Sequence, residues 1–488
     1  MNKPEVIVFI LYLISMLAIG VFFFFKSRNG GEKTFFLGDR KMGAWVGALS
    51  AGASDMSAWL LMGLPTSIYA FGLGKIWIPV GLVIGYTASW LIEAPRLRRF
   101  SIVAGDSITI PQYLSNRFRA KTKALQVICA VVFLLAYTLY AASSVKACGT
   151  LFHKVIGLNP MAAMYLAVFI IVGYTFLGGF SAVCWTDFFQ GMLILGAMLL
   201  APIFAFFMLD FSADAIDSAS HFWNPAADWR DIVSGLAWGL GYFGMPHIII
   251  RFMSISSQKT LKRSAWIGIT WTLLVLIFAA LIGILGRLDF GMESDMVQNE
   301  LVFIQMIRRI FPAVISGILL SSVLAASMST ADSQLLSASS SLASDVYKPI
   351  IRKNRATDSE LMWVGRFVVL AVALVALVIA ANPNSGSIMN LVENAWGLFG
   401  AAFGPTILFT LFWRRFNFAG AVAGILVGSA VDILWLIFLK RTGIYEILPG
   451  FAAGAIAAYA ATMFTANPSD AVLKQFDESV AYRDPEDA

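Results

Sequence analysis

Hydrophobic residues occur in long runs along the chain, separated by short stretches that carry charge, glycine or proline. Each run has about 20 residues, enough for a helix to cross a hydrocarbon core of roughly 30 Å, and lacks the alternation of a barrel strand. The pattern predicts an all-α integral membrane protein with about 13 transmembrane helices. The predicted spans are residues 6–25, 43–70, 75–95, 124–150, 160–178, 184–208, 232–252, 264–286, 312–343, 361–381, 388–412, 418–439 and 446–464.

Two of these spans contain residues that interrupt helices. Residues 50–66 read SAGASDMSAWLLMGLPT, and residues 235–248 read GLAWGLGYFGMPHI. Unwound backbone at membrane depth is tolerated only where it lines a cavity or is buried in protein. The second segment lies in the sixth span counted from residue 43. Interrupted helices at corresponding positions of two five-helix halves indicate the binding site of a transporter with inverted repeats.

Asp55 lies within the first interrupted span, where an ionisable side chain is costly unless it faces a partner, a cavity or a pathway. Unwound carbonyls beside hydroxyl groups form a hard-oxygen ligand set, which suits a cation such as sodium. The alternative is a helix whose glycine and serine residues allow close packing, with Asp55 paired to a lysine or arginine.

Three further segments carry candidate chemistry. Trp238 and Tyr242, four residues apart, either present one aromatic face to a small solute or mark an interfacial aromatic belt. Ser329 and Thr330 are candidate oxygen ligands, whereas the neighbouring serines are expected to serve helix packing. Asp187 is either a functional membrane carboxylate or a helix cap.

Composition supports the membrane assignment and narrows the function. The chain is 59% hydrophobic and 13% charged, whereas soluble domains carry roughly 25% charged residues. The net charge of +6 comes from residues in the loops, so it does not indicate a nucleic-acid partner. The three cysteines show no disulfide or zinc spacing, and motifs for nucleotide binding, zinc proteolysis or potassium selectivity are absent. The sequence therefore favours a transporter over an enzyme.

The distribution of lysine and arginine predicts the orientation in the membrane. An odd number of spans places the termini on opposite sides, and positive residues favour the cytoplasm. The N-terminus is therefore expected outside and the C-terminus inside. Basic segments expected inside are RLRR (96–99), RFRAKTK (117–123), KTLKR (259–263), IIRKNR (350–355) and WRRF (413–416). Acidic residues expected outside are Asp210, Asp214, Asp217, Asp228, Asp231, Asp289, Glu293 and Asp295.

Several motifs together resemble the sodium/solute symporter family, and most closely its bacterial members that take up proline. They are SAGASDMSAWLLMGLP, WTDFFQ, GLGYFGMPHIIIRFM, AASMSTADSQLL, FGAAFGP and IYEILPGF. The resemblance extends over nearly the whole chain in the same order, and it implies a LeuT-like fold. The implied parts are a first transmembrane helix and cytoplasmic loop (1–42), a first inverted repeat (43–210), a second inverted repeat (211–415), two additional helices (416–465) and a cytoplasmic tail without a further domain (466–488).

The resemblance also implies a function. It predicts a sodium-coupled secondary active transporter that imports L-proline across the bacterial cytoplasmic (inner) membrane by alternating access. Sodium, proline and the lipid bilayer are the expected partners, with no nucleic acid and no obligatory protein partner. The alternative is a sodium symporter for another small solute, such as pantothenate, a sugar or a short carboxylate. A membrane sensor would need an output module, and an ion channel would need a filter sequence.

Site residues carried over from the family fall into three groups. The sodium ligands would be main-chain oxygens of Ala53, Met56 and Ala326 and the hydroxyls of Ser329 and Thr330. Asp55 and Asp187 would couple sodium to transport. The proline-binding residues would be Tyr140, Trp238, Tyr242 and Pro246.

The chain departs from the family pattern at Asp332, where relatives often have a serine. This carboxylate would change the charge of any secondary sodium site there. Pairing of Asp332 with a nearby cation is the alternative.

Overall fold

The computed structural model describes residues 3–27, 32–209, 211 and 221–484. Three of the acidic residues expected outside the membrane, Asp210, Asp214 and Asp217, lie outside the described residues.

Helices account for most of the described chain. The α-helices before residue 210 are α1 (Lys3–Ser27), α2 (Glu32–Leu37), α3 (Ala44–Asp55), α4 (Leu64–Phe71), α5 (Trp77–Ala88), α6 (Ala94–Val103), α7 (Ile110–Arg117), α8 (Ala124–Ile156) and α9 (Pro160–Met208). Those after residue 220 are α10 (Trp229–Ala237), α11 (Pro246–Ser254), α12 (Gln258–Phe290), α13 (Ser294–Gln298), α14 (Val302–Ile310), α15 (Ala313–Ser340), α16 (Asp358–Ala381), α17 (Ile388–Phe412), α18 (Phe418–Leu434), α19 (Ile447–Phe464) and α20 (Asp470–Ala481).

The predicted number of 13 spans is not confirmed. In the described residues, 10 helices are long and apolar enough to cross a membrane, or 11 if the bent pair α10–α11 is one span. The difference arises at two places. Predicted spans 43–70 and 75–95 meet in one continuous helical stretch, Trp59–Val103, and predicted span 160–178 is represented by a shorter apolar helix, Pro160–Gly173.

Glycines with positive φ explain why hydropathy and structure divide these segments differently. Gly72 has φ 76° and Gly179 has φ 63°. Such values are readily adopted only by glycine, so each can join two helices through a sharp local kink. Hydropathy shows where an apolar run ends. It does not show a local kink in a stretch of chain that is helical on both sides of the kink.

Helices α15 and α17 lie in the interior of the bundle, because most of their residues are buried. Helix α15 packs against α8 and α9, and α3 packs against α9, α11, α12 and α15. The two helices α18 and α19 pack against each other and against α17 at the periphery. The interrupted segments thus lie at the centre of the helix bundle.

Two glycines allow unusually close contact between α5 and the second interrupted segment. A Cβ atom added at Gly85 would lie 2.1 Å from the carbonyl oxygen of Gly239, and one at Gly239 would lie 2.3 Å from the carbonyl oxygen of Gly81. Any side chain at these positions would collide with backbone. Small residues therefore hold the Trp238–Phe243 segment directly against α5.

Candidate functional site

The first interruption lies between α3 and the helical stretch that follows it. Helix α3 ends at Asp55, and Met56 has φ −80° and ψ 74°, outside the helical region. Helical structure resumes with a π-helix at Trp59–Gly63. The predicted interruption is confirmed but is shorter than the sequence suggested, because Pro65 lies in the first turn of α4, where proline needs no hydrogen-bond donor.

The second interruption separates α10 from α11. A 3₁₀-helix, Trp238–Phe243, continues α10, and α11 begins at Pro246. The two halves are bent by 45° at the break. Proline at the first helical position ends the preceding segment and begins the next one. The interruption predicted from the glycines and proline is therefore present.

Four of the five sodium ligands implied by the family lie together between α3 and α15. The hydroxyl of Ser329 donates to the carbonyl oxygen of Ala53 at 2.8 Å and lies 3.2 Å from that of Ala326. The Thr330 hydroxyl lies 3.5 Å from the same Ala53 oxygen. All of these residues are buried. Met56 follows at the end of α3 and is also buried.

This group offers the chemistry that sodium requires. Two carbonyls and two hydroxyls are neutral hard-oxygen donors, and they come from two different helices. By contrast, the nearby serines Ser322 and Ser327 donate to carbonyls of their own helix, as expected for residues that serve packing. The residues present therefore fit a sodium ion, and their role as its ligands stays a prediction.

Asp55 joins the first interruption to the second. Its Oδ2 accepts a hydrogen bond from the Tyr242 hydroxyl at 2.6 Å. Its main-chain oxygen accepts from the Tyr140 hydroxyl at 3.1 Å and from Trp59 Nε1 at 3.2 Å. Within residues 3–27, 32–209, 211 and 221–484, Asp55 makes no ion pair. Among the described residues, the alternative in which a lysine or arginine pairs with Asp55 is therefore wrong.

Trp238 and Tyr242 form one side of a buried aromatic cluster. Their ring centroids lie 6.2 Å and 5.0 Å from that of Trp396, and Tyr445 lies 5.1 Å from Trp238. Trp238 is 2% exposed and Tyr242 is fully buried, so the alternative of an interfacial belt is wrong. Pro246 begins α11 on the other side of the break.

Sequence reasoning missed four aromatic members of this cluster, Trp59, Tyr86, Trp396 and Tyr445. The Trp59 ring lies 6.1 Å from that of Trp238. Two of these residues could have been found from the sequence. Trp59 follows Asp55 by one helical turn, and Tyr445 lies in the quoted motif IYEILPGF. Trp396 comes from α17, which contacts the site only through the tertiary fold.

Two cavities lie next to Trp238, near the start of α5. The larger has a volume of about 340 Å³ and the smaller about 150 Å³. Both are lined by Trp238, Lys75 and Glu393. Trp238 therefore forms part of the wall of both cavities.

Asp187 takes part in a second buried polar group. Its Oδ2 accepts from Ser50 at 2.7 Å and from Arg251 Nη2 at 3.1 Å. Asp187 is fully buried and Arg251 is 1% exposed. Asp187 lies well inside the helical stretch Gly179–Met208, so the alternative that it caps a helix is wrong. Sequence reasoning did not identify Arg251 as its partner.

Asp332 is connected to this second group through one serine. The Ser333 hydroxyl lies 3.2 Å from Asp332 Oδ1, and Arg251 Nη2 donates to Ser333 at 2.6 Å. Asp332 is fully buried. The effect of its charge on a secondary ion site stays a prediction, as does its pairing with a cation.

Two interrupted helices that meet at the centre of a membrane-spanning bundle define a class of protein, the secondary transporters with inverted repeats. Comparison with known proteins agrees with this class. The profile of the Sodium:solute symporter family matches residues 35–428. The chain belongs to this family, and it is a multi-pass membrane transporter and not an enzyme.

Curated relatives align with nearly the whole chain. The high-affinity proline transporter PutP of Bacillus subtilis is 42% identical over 95% of this chain and 98% of its own length. Sodium/proline symporter 2 of Staphylococcus saprophyticus is 40% identical over 97% of this chain and 95% of its own length. The osmoregulated proline transporter OpuE of Bacillus subtilis is 39% identical, with 96% of each chain covered.

Solved structures show the same fold at low sequence identity. A sodium-coupled sialic acid symporter superposes with a TM-score of 0.78 at 20% identity, covering 96% of this chain and 99% of that one. Mhp1, a nucleobase-cation-symport-1 family transporter, gives a TM-score of 0.59 at 15% identity, covering 91% and 98%. The fold class predicted from the sequence is confirmed.

Proposed function

We propose that this chain imports L-proline together with sodium across the bacterial cytoplasmic membrane by alternating access. The observation that carries the sodium part is the group of oxygens from Ser329, Thr330 and Ala53 at the first interruption. The substrate is inferred from the relatives, whose names describe proline transport. Transport of another small solute, such as pantothenate, a sugar or a short carboxylate, is the alternative.

Sodium binds to the main-chain oxygens of Ala53, Met56 and Ala326 and to the hydroxyls of Ser329 and Thr330. The hydrogen bonds that now join these groups are replaced by bonds to the ion. Because the ligands come from α3 and α15, the ion fixes the end of α3 against α15. Asp55 follows the ligand Ala53 by two positions, so binding of the ion also fixes the position of Asp55.

Asp55 couples sodium binding to the substrate site. Its carboxylate favours the cation electrostatically and accepts the hydrogen bond from Tyr242. When sodium fixes α3, Asp55 holds Tyr242 and the second interrupted segment in position for substrate. Asp187, paired with Arg251, supports the same coupling by joining α9 to α11.

Proline binds between Tyr140, Trp238, Tyr242 and Pro246. Its apolar ring packs against the aromatic side chains, while its ammonium is attracted to aromatic faces. The first turn of α11 carries the partial positive charge of a helix N-terminus, which attracts the carboxylate. A compact zwitterion satisfies both kinds of contact.

The free energy released when one sodium ion enters the cell is sufficient to drive the accumulation of proline. Entry down a potential of about 100 mV releases roughly 2.3 kcal/mol, and a tenfold gradient adds about 1.4 kcal/mol. The sum, about 3.7 kcal/mol, supports roughly 500-fold accumulation of a solute without net charge. Proline, a zwitterion, fits this condition.

We further propose that the N-terminus lies outside and the C-terminus in the cytoplasm, and that the two inverted repeats have the boundaries predicted from the sequence. The basic segments on the side of α6 and α7 support a cytoplasmic position for that side and an external N-terminus. The interruptions in α3–α4 and α10–α11 support repeats at 43–210 and 211–415, because each repeat then begins with an interrupted helix.

Calorimetry of the purified protein tests the coupling. Linkage requires sodium to tighten proline binding by the same factor by which proline tightens sodium binding. We expect proline to bind at least about fivefold more tightly in sodium than in choline buffer. Equal proline affinity in the two buffers would sink the proposal of symport.

A further inference from the structure

Helix α20 packs against the face of the bundle that we assign to the cytoplasm. The sequence predicted only a polar tail here, but Val472 and Phe476 are buried. The Phe476 ring contacts that of Phe100 in α6, with centroids 5.2 Å apart and planes nearly perpendicular. The tail is therefore a docked element of the inner face.

One end of the tail is anchored at the corner between α11 and α12. Asp484 forms an ion pair with Arg98, and the two are 5% and 2% exposed. Asp484 Oδ2 also accepts from the backbone N–H of Gln258, the first residue of α12, at 2.9 Å. Arg98 in turn donates to the carbonyl oxygens of Ile255, at 2.7 Å, and Ser256. One carboxylate thus joins the tail, α6 and the α11–α12 corner.

A second anchor joins α20 to the chain segment that follows α17. Arg414 donates to both carboxylate oxygens of Asp477, each at 2.8 Å. These hydrogen bonds hold the pKa of Asp477 below its ordinary value, so the residue is charged at neutral pH. The pair is about half exposed, 53% for Arg414 and 55% for Asp477. This anchor is therefore the weaker one.

The two anchors belong to different parts of the transporter. Helix α6 contacts α11 and α12, whereas α17 packs chiefly against α8, α18 and α19 and meets α6 where Arg96 donates to the carbonyl oxygen of Leu411 at 2.7 Å. Alternating access moves one group of helices against another around the site. Any opening between α6 and the end of α17 must therefore separate the two anchors of α20.

We propose that α20 is a strap that holds the inner face closed, with Arg98 and Asp484 as positioning residues for its closure. The buried Asp484 anchor keeps α20 attached to α6 and α12. The exposed Asp477 anchor separates from Arg414 when the inner face opens. The strap thereby sets how readily the protein reaches its inward-open state.

Hydrogen exchange of the full chain in lipid nanodiscs tests this strap. In potassium buffer, without sodium or proline, Asp484→Asn should accelerate amide exchange in residues 94–103 and 254–258 by about tenfold, and Asp477→Asn by about threefold. Glu478→Gln is the matched control, because it removes the same charge from the same helix at a half-exposed position. It should leave exchange unchanged. Sodium with proline should reverse the acceleration, which a purely local loss of structure would not show.

Exchanging the charges of Asp477 and Arg414 gives a second test, which remains available if Asp484→Asn does not fold. Asp477→Arg alone should accelerate exchange at least as much as Asp477→Asn, and adding Arg414→Asp should restore the wild-type rate. The strap is refuted if Asp477→Asn exchanges like Glu478→Gln. It is also refuted if the charge exchange does not restore closure. If the charge exchange restores closure but sodium with proline does not reverse the acceleration, the strap stands and the proposed ligands are wrong.

Discussion

Replacing Ser329 and Thr330 together by alanine should raise the sodium concentration for half-maximal proline uptake tenfold or more. The change removes the two side-chain oxygens that reach the Ala53 carbonyl from α15. Each factor of ten corresponds to about 1.4 kcal/mol of lost sodium binding. The fold should persist, because alanine favours helix and both residues lie inside α15. Uptake of labelled proline by cells at graded sodium concentrations measures the effect.

The matched control is the double replacement of Ser322 and Ser327 by alanine. These serines are as deeply buried in the same helix, but their hydroxyls bond to their own helix backbone. Their loss should leave the sodium dependence close to wild type. Unchanged sodium dependence in the Ser329 and Thr330 variant would show that these hydroxyls do not bind the ion.

Truncation of Trp238 to alanine should weaken proline binding by about 1 to 3 kcal/mol, the scale of lost apolar burial. Sodium binding in the absence of proline should remain nearly intact, since the ring contacts of Trp238 are with aromatic residues such as Trp59 and Trp396 and not with the proposed sodium ligands. Calorimetry with each ligand alone and with both separates the two effects. Wild-type proline affinity in this variant would assign Trp238 to packing.

Tyr242→Ala should behave differently from Trp238→Ala. Tyr242 donates to Asp55, so its loss should weaken sodium binding as well as proline binding. Trp266→Ala is the control for loss of a tryptophan, because Trp266 is 68% exposed on the outer surface of α12. It should change neither affinity.

Interrupted helices could be predicted because their cause is local. Gly52, Ser57 and Pro246 disfavour continuous helix by their own backbone chemistry, so the sequence alone indicates both breaks. The grouping of Ser329 with Ala53 could be expected only from the family resemblance. The two residues lie far apart in sequence, and no periodicity connects α3 with α15.

Partners contributed by distant helices could not be predicted from the sequence. The sequence places Arg251 at the end of an apolar run with no sign of a partner, yet the structure shows it as the buried partner of Asp187. Trp396 completes the aromatic cluster from α17. In both cases the contact exists only because several helices pack together, which hydropathy does not encode. The docking of α20 was missed for the same reason, since its apolar face is short.

The central claim is sodium-driven import of proline, and uptake into liposomes that contain only the purified protein tests it most directly. An inward sodium gradient should accumulate labelled proline above its external concentration, and an inside-negative potential should increase the accumulation. A potassium gradient of equal size should not drive uptake. The account is contradicted if proline equilibrates without regard to sodium, or if pantothenate, glucose or a short carboxylate competes as well as unlabelled proline does.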